Sequence, residues 1–156
     1  MEVRTILWPT DLSKNSIKAA KHVSSLAEKY QAKVIMLYVG VDLMAHFPAY
    51  GSYPSAEQLK HFQDWEVKHA KQRMESVCDK ELKACPNIRV RLVQGDAAQE
   101  ILKAIQQEKA DLVVLTTHGR GHEEIDQIAP TFGSVAEKVI KNSPVPVHLV
   151  NPFREK

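Results

Sequence analysis

What this chain lacks narrows its class before anything it contains. No apolar stretch approaches the roughly 20 residues that cross a bilayer; the continuous apolar runs are of strand length. No long Lys/Arg run is present, and 21 basic against 19 acidic residues leave a formal net charge of +2. That balance carries no electrostatic footprint for nucleic acid or for a membrane surface. Cysteine is scarce, with only Cys78 and Cys85. On a continuous helix that spacing spans ~10 Å, beyond the disulfide reach of about 7 Å, so reduced thiols in a cytoplasmic protein are expected. Without a CxxC spacing the pair says nothing about metal. Met1-Glu2-Val3-Arg4 runs directly into a strand pattern, so no signal peptide is expected. Neither an internal repeat nor a low-complexity tract divides the 156 residues, which are expected to form one domain, 1–156.

Several catalytic and phosphate motifs are also missing. There is no GxxxxGK[ST], hence no P-loop. Gly119-Arg120-Gly121 begins a dinucleotide fingerprint, but Glu124 stands where its third small residue belongs. No Ser/His/Asp or Cys/His set is placed together, and no general base is aimed at a phosphate.

What is present is an ordinary globular composition, 44% hydrophobic and 26% charged. Strand and helix patterns alternate along it. Val3 to Trp8 is β-rich and is stopped by Pro9; Ser13 to Tyr30 is an amphipathic helix with Ile17, Ala20, Ser24 and Ala27 at helical steps. Val34 to Val39 is continuously apolar, which marks a strand covered on both faces in a parallel sheet. Gly40 to Pro54 is a loop, and Ser55-Ala56-Glu57-Gln58 has the form of a capping box. The helix it opens is expected to reach about Ala84, with Val67, Ala70, Met74 and Val77 buried, and to be ended by Pro86 and Asn87. Arg89 to Val93 alternates its arginines as an edge strand does; Asp96 to Gln99 is a second capping-box candidate, before a helix burying Ala98, Ile101, Leu102 and Ile105. Leu112 to Leu115 is a fourth strand. Gly133 and Ser134 open a helix burying Val135, Ala136, Val139 and Ile140, and Val145 to Val150 is a last strand placed at an edge by Pro144 and Pro146. Strict alternation of five strands and four helices predicts an α/β fold. It is a doubly wound parallel sheet of order 3-2-1-4-5 with right-handed crossovers and helices on both faces.

In such sheets ligands bind beyond the strand C-termini where the strand order reverses. Between the first and fourth strands that places Pro9-Thr10-Asp11-Leu12-Ser13 opposite Thr116 to Gly121. A strand, a glycine-bearing loop and the start of the helix at Gly133 offer converging backbone N–H groups and a favourable dipole to an anion.

The residues that carry a resemblance are now in view. A first strand ending Pro9-Thr10-Asp11-x-Ser13, a fourth ending in His118-Gly119-Arg120, then Gly133-Ser134-Val135-Ala136-Glu137-Lys138-Val139 and a terminal Pro144-Val145-Pro146-Val147 resemble the universal stress protein family over essentially the whole chain. Many members bind ATP or AMP through G-x2-G-x9-G-[S/T]. The resemblance implies that Gly119, Gly133, Ser134 and the Val135 N–H hold phosphates, that Asp11 meets the ribose, and that the Val39 backbone meets the adenine. Pro9, Thr10, Leu115, Thr116 and Arg120 complete the nucleotide-binding set it suggests. The implied protein is a cytoplasmic regulatory one rather than an enzyme. It would take ATP or AMP, with Mg2+ as an accompanying ion, and dimerise through Val145–Val150.

Two departures weaken the case for a triphosphate. Thr116 replaces the first glycine, and thirteen residues, Arg120 to Phe132, stand where the pattern has nine. The surplus holds His122, Glu123, Glu124 and Asp126, whose carboxylates would repel phosphates unless a cation intervened. Plainer roles compete: Asp11 and Ser13 as helix caps, Ser134 with Glu137 as a capping box, Arg120 as a partner of the acidic insert. His118 and His122 have His-x3-His spacing, but the glycines around them argue against the helix that zinc would need. Two rivals therefore stand beside nucleotide binding: a nucleotide-free scaffold of the same fold, and a slow metal-dependent ATPase using the insert.

Overall fold

The computed structural model describes residues 1–40, 54–83, 85, 87–119 and 132–154. Arg120, the His122–Asp126 insert, most of the Gly40–Pro54 loop, Ala84 and Pro86 lie outside the described residues.

The first strand, β1 (Thr5–Pro9), sits at the centre of the sheet. It pairs in parallel with β2 (Lys33–Gly40) through Ile6↔Val34 to Pro9↔Leu37, and on its other side with β4 (Leu112–Thr116) through Leu7↔Val113. β3 (Ile88–Gln94) and β5 (Val147–Val150) complete a five-stranded parallel sheet of order β3-β2-β1-β4-β5. This is the expected topology, with its reversal between β1 and β4. Pro9 belongs to β1 rather than stopping it, and the ladder continues through the Thr10 N–H to Leu37 O at 2.8 Å.

Alternation along the strands makes two cores. Ile6, Trp8, Val34, Met36 and Val114 face the helices that follow β1 and β2; Leu7, Ile35, Leu37, Val113 and Leu115 face those that follow β3 and β4. Every one of these side chains is buried, which explains the continuous apolar runs. The edge strands behave differently. On β3, Arg89 and Arg91 reach Glu108 at 3.3 and 2.7 Å, and β5 begins at Val147, after Pro146, with Leu149 exposed.

The helix after β1 is broken. Ser13 caps α1 (Lys14–Ile17) through Ser16 N, and α2 (Ala20–Tyr30) follows. Lys18 and Ala19 keep right-handed angles but bond three residues back, to Asn15 O and Ser16 O, so the ladder tightens for one turn. The long helix α3 (Ala56–Glu81) starts at the expected Ser55/Gln58 capping box, with both reciprocal bonds present. It ends at Glu81, short of Ala84, and its buried residues are Ala70, Met74 and Val77. Val67 is exposed, as are Phe62 and Trp65, because among the described residues nothing packs over the outer side of that half of the helix. Cys85 follows a turn in which its N–H meets Leu82 O, so the continuous-helix distance between the cysteines does not describe them; both are free thiols. Asp96 caps α4 (Ala97–Gln107) by accepting from Gln99 N. The final helix, α5 (Ser134–Asn142), is capped by Gly133 with no side-chain cap bond. Ser134 is therefore the first helical residue, not a cap, and Glu137 pairs with Lys141 at 2.5 Å instead of closing a box. No helix among the described residues is long and apolar enough to cross a membrane.

Candidate functional site

At the switch point a cleft of about 240 Å³ opens over the C-terminal ends of β1, β2 and β4. Pro9, Thr10 and Asp11 line it from β1, and Val39 from β2. Leu115, Thr116 and Gly119 line it from β4 and the loop beyond, and Gly133, Ser134 and Val135 from the start of α5. These are the residues singled out from the sequence, Arg120 alone lying outside the described residues. Leu37, Ala97 and Ile101 add apolar wall, and Thr117 and Ser16 add polar groups. Sequence reading missed these five; the one available signal was that Ile101 lies on the inward face of a predicted helix.

The β1 rim is built from side chains. Leu12 adopts a left-handed φ of +61° although it is not glycine and is 2% exposed. Such a residue costs roughly 1–2 kcal/mol over its right-handed form, so the surroundings must hold it. Its N–H donates to Thr10 Oγ1 at 3.0 Å, and its carbonyl accepts from an Arg73 guanidinium N–H at 2.6 Å. Thr10 Oγ1 also accepts from Ser16 Oγ–H at 2.7 Å. Asp11 Oδ1 takes the Ser13 N–H at 2.9 Å, closing an Asx turn just ahead of the α1 cap. The cap itself is Ser13, so Asp11 has a different part: its other oxygen faces the glycine loop.

The β4 rim is built from the absence of side chains. A Cβ added to Gly119 would collide with Asp11 Oδ2, so glycine is what lets the two rims approach. Asn15 Nδ2 reaches Gly119 O at 3.4 Å from α1. Gly133 N–H bonds Thr117 O at 2.8 Å, and a Cβ on Gly133 would stand 3.3 Å from that same carbonyl. Gly133 is thereby held against the strand end, and α5 points its N-terminal N–H groups, which have no partner within the helix, and its positive dipole end at the cleft. The loop is backed from outside: Thr117 N–H bonds Val150 O at 2.9 Å, and the buried His118 ring lies 5.1 Å from that of Phe153. His118 Nδ1 is within 2.9 Å of Thr117 Oγ1. His122, the other half of the His-x3-His spacing, lies outside the described residues. Among the described residues no group of three or more His, Cys, Asp or Glu is arranged to hold a metal.

α3 touches the β1 rim and β2. Besides Arg73 on Leu12 O, Glu66 Oε1 accepts from Tyr38 O–H at 3.3 Å, beside the pocket residue Val39. A Cβ on Gly40 would lie 3.2 Å from that same oxygen. Neither Arg73 nor Glu66 announces itself in the sequence, since each contact is long-range and made by a residue type common on helix surfaces.

Fold and cleft together define a doubly wound α/β protein with a crevice at its switch point, floored by apolar strand ends and facing a helix N-terminus. The universal stress protein family model matches residues 2–151, and the chain belongs to that family. Universal stress protein MJ0531 of Methanocaldococcus jannaschii is 36% identical over 150 residues, 94% of this chain and 81% of that protein. MJ0577 of the same organism superimposes with a TM-score of 0.80 at 28% identity, covering 100% of this chain and 99% of that one. A universal stress protein from Archaeoglobus fulgidus, solved in complex with dAMP, superimposes with a TM-score of 0.65 over 97% of this chain and 100% of its own. At 17% identity that likeness is one of fold.

Proposed function

We propose that this chain binds an adenine nucleotide at the β1/β4 crevice and acts as a regulatory binding protein of the stress-response type. The observation that carries the reading is the joint lining of one cleft by an apolar floor, an acidic side chain and a helix N-terminus. Each matches one part of a nucleotide. The apolar wall of Leu37, Val39, Ala97 and Ile101 suits a planar base, with the Val39 backbone reading its edge. Asp11 suits ribose hydroxyls as an acceptor. The N–H groups at Ser134 and Val135, with the Ser134 hydroxyl left out of any cap, suit a phosphate. That a family member of the same fold has been solved with dAMP supports a nucleoside monophosphate as the ligand class.

A monophosphate also suits a departure from the family motif. Thr116 lines the cleft where the motif has glycine, and Mg2+ would have to accompany additional phosphates. Binding without turnover is the favoured reading. Asp11 is the ionisable side chain on the described lining, and one of its oxygens is tied to Ser13 N–H, which suits a ligand acceptor better than a base. We place the protein in the cytoplasm as one domain, and assign a homodimer to the β5 edge, where Leu149 is exposed.

The experiment is direct titration of purified protein with AMP, ADP and ATP by calorimetry, together with mass spectrometry of any co-purified nucleotide. AMP is expected to bind, and ATP to bind no more tightly. Absence of heat and of thermal shift with all three, from protein free of nucleotide, would reject this reading in favour of a nucleotide-free scaffold.

A further inference from the structure

We infer that Arg73, on a helix that contributes no lining to the cleft, is a positioning residue for nucleotide binding. It acts by holding the Leu12 carbonyl and thereby fixing the Asp11 carboxylate. The inference rests on the reading that the crevice takes an adenine nucleotide.

The argument begins with the carbonyl. α1 takes its first backbone acceptor from Ser13, whose O receives Ile17 N at 3.0 Å. Leu12 O precedes that ladder, and β1 has already ended at Pro9. The left-handed φ of Leu12 turns its carbonyl out of both elements, and Arg73 Nη2–H meets it at 2.6 Å. A charged donor on a neutral acceptor is among the stronger hydrogen bonds. Here it stabilises a backbone conformation that a leucine otherwise disfavours.

Asp11 is covalently next to this peptide and has little freedom of its own. Its Oδ1 is held by Ser13 N–H, on the far side of Leu12, and its Oδ2 lies against Gly119. The Asx turn thus spans the left-handed residue, and any relaxation of Leu12 toward a right-handed conformation would carry the carboxylate away from the glycine loop. Thr10 Oγ1 secures the N–H side of Leu12 and Arg73 secures its C=O side. The two clamps differ in origin: Thr10 is local, whereas Arg73 comes from α3, sixty-one positions along the chain. Arg73 is exposed, but the helix that carries it is anchored, since its neighbours Ala70, Met74 and Val77 are buried. The helix that grips Leu12 also meets β2 through Glu66 and Tyr38, next in the chain to the pocket residue Val39.

The test uses the full chain with AMP as the probe, in wild type, Arg73→Met, Arg73→Lys, Asp11→Asn and the double variant Asp11→Asn/Arg73→Met. Arg73→Met is expected to weaken AMP binding about tenfold. Arg73→Lys, which keeps one charged donor, is expected to retain most of the affinity. In the Asp11→Asn background, removing Arg73 should bring little further loss, because Arg73 acts through that carboxylate. A merely structural role would instead give losses that multiply in the double variant and would lower the melting temperature in step with affinity. Multiplying losses overturn the inference, as does an Arg73→Met protein that binds AMP like wild type. If wild type itself binds no AMP, the nucleotide reading is what fails.

Discussion

The two rims of the crevice reach the same closeness by opposite means. The β1 rim is dense in side-chain bonds: Thr10, Asp11, Ser13, Ser16 and Arg73 together hold a leucine in a left-handed turn. The β4 rim relies on glycine and backbone, with Gly119 against Asp11 and Gly133 against Thr117 O. The first is vulnerable to deletions and the second to additions.

The largest effect is expected from Gly133→Val. Its Cβ would already stand 3.3 Å from a carbonyl that Gly133 N–H bonds, and backbone cannot yield as a side chain can. The branched side chain would also cover the N-terminal N–H groups of α5. AMP affinity should fall by about a hundredfold or more, measured by calorimetry; near-normal binding would break the assignment of phosphate to this rim. Next is Thr10→Val on the other rim. It conserves shape but leaves the buried Leu12 N–H and Ser16 O–H without their shared acceptor, which should cost about 1–3 kcal/mol of stability in urea unfolding. Thr10→Ser should recover most of that. If Thr10→Val is as stable as wild type, the β1 rim is not held by the side chains named here.

Gly119→Ala sharpens the contrast, because the added methyl meets the end of the Asp11 side chain rather than backbone, so the carboxylate is what it displaces. The expected outcome is roughly tenfold weaker AMP binding with little change in melting temperature. A large loss of stability would show that the rims are coupled through the backbone as well. The smallest effect lies beyond both rims, on β5. His148 Nε2 sits 3.3 Å from His22 Nδ1, and burial together with that neighbouring imidazole holds the His148 pKa below its ordinary value. As pH falls, the unfolded chain takes up this proton first, so stability is full above the ordinary histidine pKa and declines as pH drops through the lower, folded one. His148→Gln should flatten the decline below about pH 6.5. An unchanged pH profile would remove His148 as its source.

Much of this molecule can be read from its residues because the signals involved are local. Strand runs at Val34–Val39 and Leu112–Leu115, the caps at Ser13, Ser55 and Asp96, and the two prolines before β5 each depend on a few adjacent positions. The crevice was legible too, since in a sheet of order 3-2-1-4-5 topology alone brings Pro9–Asp11 beside Thr116–Gly119. The misreadings have one cause. Val67 was assigned to a buried face by periodicity, yet burial depends on whether another element covers that part of α3. Ser134 and Glu137 had capping-box spacing, but Gly133, pinned to Thr117 O, starts the helix one residue earlier.

The sequence by itself determined the order of elements, the doubly wound sheet and the small set of residues that could meet at its switch point, because periodicity and turn chemistry act over a handful of neighbours. The tertiary structure alone decided how those residues are aimed. Leu12 turns left-handed, Arg73 reaches it from a distant helix, and Asp11 rests where only a glycine at position 119 leaves room. Contacts of that kind join positions far apart in the chain, so their energies are set by packing and leave no periodic trace along the sequence.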